Sequence, residues 1–153
     1  PHIAVSIGNH LDILKIRSLP NSSSKDSISM SNLVSTDLPA TVEHLSIRSS
    51  GRLVMAQYGS GVVTYDIELS KQTMTSFNAP VTDELRWLDK YHFYLTDGSG
   101  LDVMEFDGGN PHVITALTTV FDAVQSDDGK FIYTINAIDG GRYAVQRSRM
   151  ILE

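Results

Sequence analysis

Met55, Tyr94 and Tyr133 stand 39 residues apart, each inside the same order of strand-like and turn-like residues. The three segments are GRLVMAQYGSGVVTYDIEL, KYHFYLTDGSGLDVMEFDG and GKFIYTINAIDGGRYAVQRSR. Gly61 and Gly100 keep the 39-residue step, and Gly140 falls one residue beyond it. A pitch near 40 punctuated by turn glycines fits four short antiparallel strands per unit, and such units must stack to bury their faces.

Each repeat divides into short strands. In the unit spanning 81–118 the expected strands are Glu84 to Leu88, His92 to Thr96, Leu101 to Phe106 and His112 to Leu117. Between them lie Asp89-Lys90, Asp97-Gly98-Ser99-Gly100 and Asp107-Gly108-Gly109-Asn110, rich in residues that tolerate positive φ. The strands carry Val, Ile, Phe, Tyr and Thr, which suit a pleated, half-buried surface. No long window keeps a 3.6-residue apolar stripe. The expected fold is therefore all-β, built from propeller blades of four antiparallel strands.

The first segment fits the same scheme with extra length. VSIGNHLDILKIRS lies 51 residues ahead of AQYGSGVVTYDIEL, and the polar stretch Pro20 to Ser27 is the natural place for the excess. Four blades are expected: a partial one at 1–36, full ones at 41–78 and 81–118, and a partial one at 121–153. The first lacks its innermost strand and the last its outermost, giving three, four, four and three strands. Such open sheet edges are templates for pairing. Completion by further sequence, a second polypeptide or self-association is expected.

The turns resemble those of TolB-like, WD-like β-propeller repeats, whose blades carry a Ser-Pro-Asp-Gly-Lys turn. QSDDGKFIYTIN keeps Ser126, Asp128, Gly129 and Lys130, with Asp127 in place of proline. LDVMEFDGGNPHVIT matches a second family element through Met104, Asp107, Gly108, Gly109, Asn110 and Pro111, whereas RSSGRLVM keeps only Gly51 and the basic Arg52. The resemblance implies a larger ring, usually of six blades, so this chain would be part of a propeller. It also implies a bacterial protein with a periplasmic or cell-surface setting, among partner-binding proteins, peptidase gating domains and other surface proteins. It is specific for fold rather than function.

Composition narrows the function classes. A net charge of −6 argues against a nucleic-acid partner, which calls for a basic patch. No apolar run approaches the roughly 20 residues needed to span a bilayer, so no membrane insertion is expected. The start lacks a signal-peptide pattern and opens on Pro1, as a processed or excised piece would. The absence of Cys removes disulfides, thiolate metal sites and Cys nucleophiles together, without fixing the compartment.

No Gly-x-Ser-x-Gly elbow occurs, and Ser60 and Ser99, each between two glycines, fit strand-joining turns. His2, His10, His44, His92 and His112 show no helical metal-site spacing, and no cofactor is expected. His92 is expected to be a strand residue with a satisfied ring nitrogen. Asp97 to Gly100 lacks the alternating oxygen ligands of a calcium loop. Trp87, the only Trp, sits on a strand near the propeller axis and is expected to pack against neighbouring blades; an exposed anchor is the alternative.

Sorting the loops by blade end gives one face carrying Asp37, Asp83, Glu84, Asp97, Asp122 and Asp139, with few compensating bases. The other face mixes signs, with Arg52, Lys71, Asp89, Lys90, Asp107, Asp127, Asp128 and Lys130 among its charges. Solubility and the Asp preference of turns account for an acidic rim, and so does steering of a basic partner or cation. The reading that follows is a non-enzymatic module that binds a protein or scaffolds an assembly in a larger surface or envelope protein. The alternatives are a propeller-type enzyme with a polar or metal site on the ring axis, and a structural spacer.

Overall fold

Among the described residues the alternating segments form fourteen strands. The computed structural model describes residues 1–18, 28–48, 50–77, 81, 84–96, 100–117 and 121–150. Blade 1 contains β1 (His2–Ile7), β2 (His10–Ser18) and β3 (Ser29–Asp37). Blade 2 contains β4 (His44–Ile47), β5 (Leu53–Tyr58), β6 (Gly61–Asp66) and β7 (Lys71–Ser76). In blade 3 are β8 (Arg86–Trp87), β9 (His92–Thr96), β10 (Gly100–Glu105) and β11 (His112–Ala116). Blade 4 holds β12 (Val124–Gln125), β13 (Phe131–Ile138) and β14 (Arg142–Arg149).

Each blade is a separate sheet in which chain neighbours pair antiparallel. The tally of three, four, four and three strands matches the spacing of the repeats. Among the described residues none is helical, and no helix is long and apolar enough to cross a membrane. The inner strand expected at Glu84 to Leu88 shortens to Arg86–Trp87. Only these two residues pair with β9, and Leu88 N–H already donates to His92 O across the turn. The stretch Pro20 to Ser27 lies outside the described residues, between β2 and β3.

The chain divides into two compact units, Pro1–Pro80 and Val81–Glu153. In the first, Leu11 and Ile13 of β2 pack with Val54, Ala56 and Tyr58 of β5 and Val63 of β6. In the second, Tyr94 of β9 and Leu101 and Val103 of β10 pack with Ile132 of β13, Leu117 and Ala123. Fully burying one such side chain is worth about 1.5–3 kcal/mol. β5 is buried along its whole length and β6 nearly so. A strand covered on both faces needs apolar residues at consecutive positions, which is why LVMAQY and GVVTYD do not alternate cleanly.

Local chemistry sets the turns. In the β12–β13 hairpin, Phe131 N–H donates to Ser126 Oγ (3.0 Å) and Lys130 N–H to Asp128 Oδ1 (3.1 Å). Gly129 N–H donates to Ser126 O, and its φ of 71° belongs to the left-handed region that glycine tolerates best. These contacts explain why Ser126, Asp128 and Gly129 occur in that order. Between β5 and β6 the glycine requirement is steric, since a Cβ on Gly61 would stand 2.7 Å from the Tyr58 ring.

Candidate functional site

In the first unit the strand-joining loops of one blade end are tied together. Leu38 N–H donates to Asn9 O, Val42 N–H to Gly8 O, and Asn9 Nδ2 to Leu38 O (3.0 Å). The β1–β2 turn and the β3–β4 connection therefore form one rim. It presents Asp37 at the end of β3, together with Glu43, whose backbone N–H is fixed by Gln57 O. Glu43 is an exposed carboxylate absent from the sequence-derived set. Its place in the connection entering β4 is the signal that would have found it.

Asp37 is not a bare charge. His10 Nδ1–H donates to its Oδ1 at 2.7 Å, and the other ring nitrogen lies 3.4 Å from Asp12 Oδ1 and 3.1 Å from Ser35 Oγ. Asn32 Nδ2 also donates to Asp12. The register explains the cluster, since His10 pairs with Asp37 and Asp12 with Ser35 on adjacent strands. The hydrogen bond to Asp37 is the main influence raising the His10 pKa above 6.5, with Asp12 adding to it. An NMR titration should find the His10 midpoint highest in the native chain and lower in Asp37→Asn. An unchanged midpoint would mean that Asp37 does not hold the proton on His10.

In the second unit Glu84, Arg86 and Asp122 come together. Arg86 NH2 donates to Asp122 Oδ2 at 3.0 Å, and Arg86 Nε lies 3.7 Å from Glu84 Oε2. Arg86 is thus a base set directly against two carboxylates of the expected acidic face. The period of a strand puts residues 84 and 86 on one side, so this pairing was available from spacing. Asp139 sits in the β13–β14 turn, where its backbone carbonyl accepts from Arg142 Nε (3.2 Å). Asp83 and Asp97 lie outside the described residues. Asp37 belongs to the first unit, and Glu84, Asp122 and Asp139 belong to the second.

The carboxylates of the opposite blade end shape turns. Asp89 accepts from the N–H groups of Tyr91 (2.7 Å) and His92 (2.8 Å), and Asp107 from Gly109 N–H (3.0 Å). Burial works against ionisation of Asp89, yet those two N–H groups and the His92 ring outweigh it and lower its pKa. Asp128 is held low chiefly by Ser126, then by Lys130 N–H. His92 donates from Nδ1 to the Asp89 carboxylate at 2.8 Å, so its ring nitrogen is satisfied as expected. Trp87 is half-buried and meets Phe93 edge-to-face, 6.4 Å between ring centres. Among the described residues no three of His, Asp and Glu form a group able to hold a metal ion.

Sequence spacing gave no sign of the cluster around Asp66, a carboxylate 2% exposed at the end of β6. Arg52 grips it with Nε (3.0 Å) and NH2 (2.7 Å), while Glu68 and Leu69 N–H donate at 2.9 and 3.1 Å. Arg52 NH1 also reaches Glu68 at 2.9 Å. The two residues lie 14 apart and meet only because β5 and β6 pair with Leu53 opposite Asp66. This cluster ties the turn after β6 to the start of β5.

A chain from the crystal structure of the mitotic checkpoint complex is similar to this one, with a TM-score of 0.58 and 17% identity. The match covers 97% of this chain and 44% of that chain, a β-propeller. No protein-family model matches the sequence, and no curated protein matches it. At this identity the likeness speaks for fold alone, and together with the four separate sheets it makes the chain a set of β-propeller blades, incomplete at both ends. The chain spans less than half the length of that solved propeller.

Proposed function

We propose that the chain is a non-enzymatic, protein-binding or scaffolding part of a larger propeller of the TolB-like kind, in a surface or envelope protein. The observation that carries this reading is the loop rim of the first unit. Asp37 and Glu43 stand exposed on loops cross-tied by backbone hydrogen bonds, so binding there orders little additional backbone. Glu84, Asp122 and Asp139 present further carboxylates on loops of the second unit. The partner suited to such loops is a basic protein segment. Each exposed charge contributes little alone, but neighbouring carboxylates on the loops of one unit raise the encounter rate.

In the first unit His10 offsets part of the charge of Asp37, and Glu43 adds an exposed carboxylate outside that pair. Replacing Asp37 and Glu43 of the first unit's rim with the corresponding amides should slow association with a lysine-rich peptide by several-fold at low salt. Added salt should reproduce the loss. Asp127→Asn on the opposite blade end serves as the control, because Asp89, Asp107 and Asp128 cap turns and their loss would disturb folding. Equal slowing by the control, or no slowing by the double variant, would leave the rim a solubility device.

A further inference from the structure

In the first unit His10 stands between two carboxylates, each facing one of its ring nitrogens. Nδ1 lies 2.7 Å from Asp37 Oδ1, and Nε2 lies 3.4 Å from Asp12 Oδ1. Both contacts are set inside one sheet: His10 pairs with Asp37 across β2 and β3, and Asp12 is two residues along β2 on the same side. A neutral imidazole has one N–H and cannot donate to both carboxylates, whereas an imidazolium has two and can. A third neighbour makes the arrangement reversible. Ser35 Oγ lies 3.1 Å from Nε2, and a hydroxyl can turn to donate to that nitrogen once its proton is gone. Either protonation state is therefore hydrogen-bonded without moving a heavy atom.

The proton changes the charge of a rim whose backbone is already fixed. His10 follows the Gly8-Asn9 turn, and Asp37 leads into the connection tied to that turn through Leu38 and Val42 N–H. Asn32 Nδ2 holds Asp12 in place beside the ring. Protonated, His10 offsets Asp37 and leaves Asp12 and Glu43 as the net negative groups. Neutral, it leaves all three carboxylates uncompensated. His44, which follows Glu43 at the start of β4, is a second imidazole next to these loops.

We propose that the proton on His10 regulates the first unit's rim, weakening its attraction for a basic protein segment when present and restoring it when released. The inference rests on the reading of that rim as a binding surface. The hydrogen bond to Asp37 keeps the proton on His10 to a pH above the ordinary midpoint of 6.5, against a smaller effect of desolvation and with Asp12 adding to it. The rim is accordingly most acidic only above that raised midpoint, where loss of the proton has added one negative charge. Linkage runs both ways. A bound cationic segment disfavours the imidazolium, so it lowers the His10 midpoint by the same free energy by which the proton weakens binding.

The probe is a lysine-rich peptide, with association rates measured at low salt at about pH 5.5 and about pH 8.5, a range over which its lysines and the rim carboxylates keep their charges. Association with the parent chain should be about threefold slower at the acidic end. His10→Gln, whose side chain cannot titrate, should bind at one rate at both pH values, while His44→Gln should keep the parent's dependence. In the parent, saturating peptide should move the NMR midpoint of His10 downward. A parent that binds equally fast at both pH values, a His10→Gln chain that keeps the dependence, a His44→Gln chain that loses it, or a His10 midpoint unmoved by peptide would overturn the switch. Failure of the binding reading looks different: the peptide would then associate with the Asp37→Asn, Glu43→Gln chain as fast as with the parent at the alkaline end, and the switch would fall with it.

Discussion

Replacing Arg52 with alanine should destabilise the fold by about 2–4 kcal/mol, because the change leaves a buried carboxylate without its cation. Asp66 would keep the N–H groups of Glu68 and Leu69, which do not carry a full positive charge. Arg52→Lys should recover only part of the loss, since an ammonium cannot reproduce the two-nitrogen grip on Asp66. The effect should also depend on pH. Burial of Asp66 opposes its ionisation, but the hydrogen bonds from Arg52 and the backbone prevail and hold its pKa below 3.8. A carboxyl with a depressed folded pKa stabilises fully above its unfolded value and loses that contribution as pH falls through the folded one. Urea midpoints of parent and Arg52→Ala should therefore lie far apart at neutral pH and converge in strong acid. A separation that persists unchanged in acid would show that the pair does not act through charge.

Leu101→Ala should cost about 2–5 kcal/mol, whereas Val145→Ala should cost less than about 0.5 kcal/mol. Both residues lie on the third strand position of their blades, opposite the residue two beyond the repeat tyrosine. Leu101 is fully buried among Tyr94, Val103 and Ile132, so truncation removes transfer energy and leaves a cavity. Val145 is open to solvent and its truncation leaves no cavity. Urea unfolding of the two variants under identical dilute conditions makes the comparison. Equal losses would contradict the distinction between a flanked blade and an end blade.

Blade pitch was legible because tertiary structure repeats where the sequence repeats. Met55, Tyr94 and Tyr133 share one strand position, and Ser126, Asp128 and Gly129 follow from the needs of a tight hairpin. The openness of the end faces was not legible in the same way. Ile3, Val5 and Ile7 alternate along β1 as Val54, Ala56 and Tyr58 do along β5, and their exposure separates the two sets. Single-strand patterning reports that a face is apolar, not whether another sheet covers it.

The loop carboxylates of the two units were partly legible. Counting strands placed Asp37, Glu84, Asp122 and Asp139 at or beside strand-joining loops, but it omitted Glu43 and gave Arg86 too little weight. Turn chemistry explains why the opposite carboxylates carry structural duty: Asp89, Asp107 and Asp128 accept backbone N–H groups two residues onward. The Arg52–Asp66 pair was hidden because its partners are brought together by strand register. Local spacing contains no trace of a contact that only a paired β5 and β6 create.

The separateness of the blades can be tested directly by backbone NOEs in the isotopically labelled protein. The expected result is a ladder from β4 through β7, including Tyr58 opposite Gly61 and Val63 opposite Met74, with matching ladders inside the other three blades. No ladder should join β3 to β4 or β11 to β12, where one blade ends and the next begins. A continuous meander linking Ser29–Asp37 to His44–Ile47, or helical contacts within any repeat, would contradict the propeller architecture.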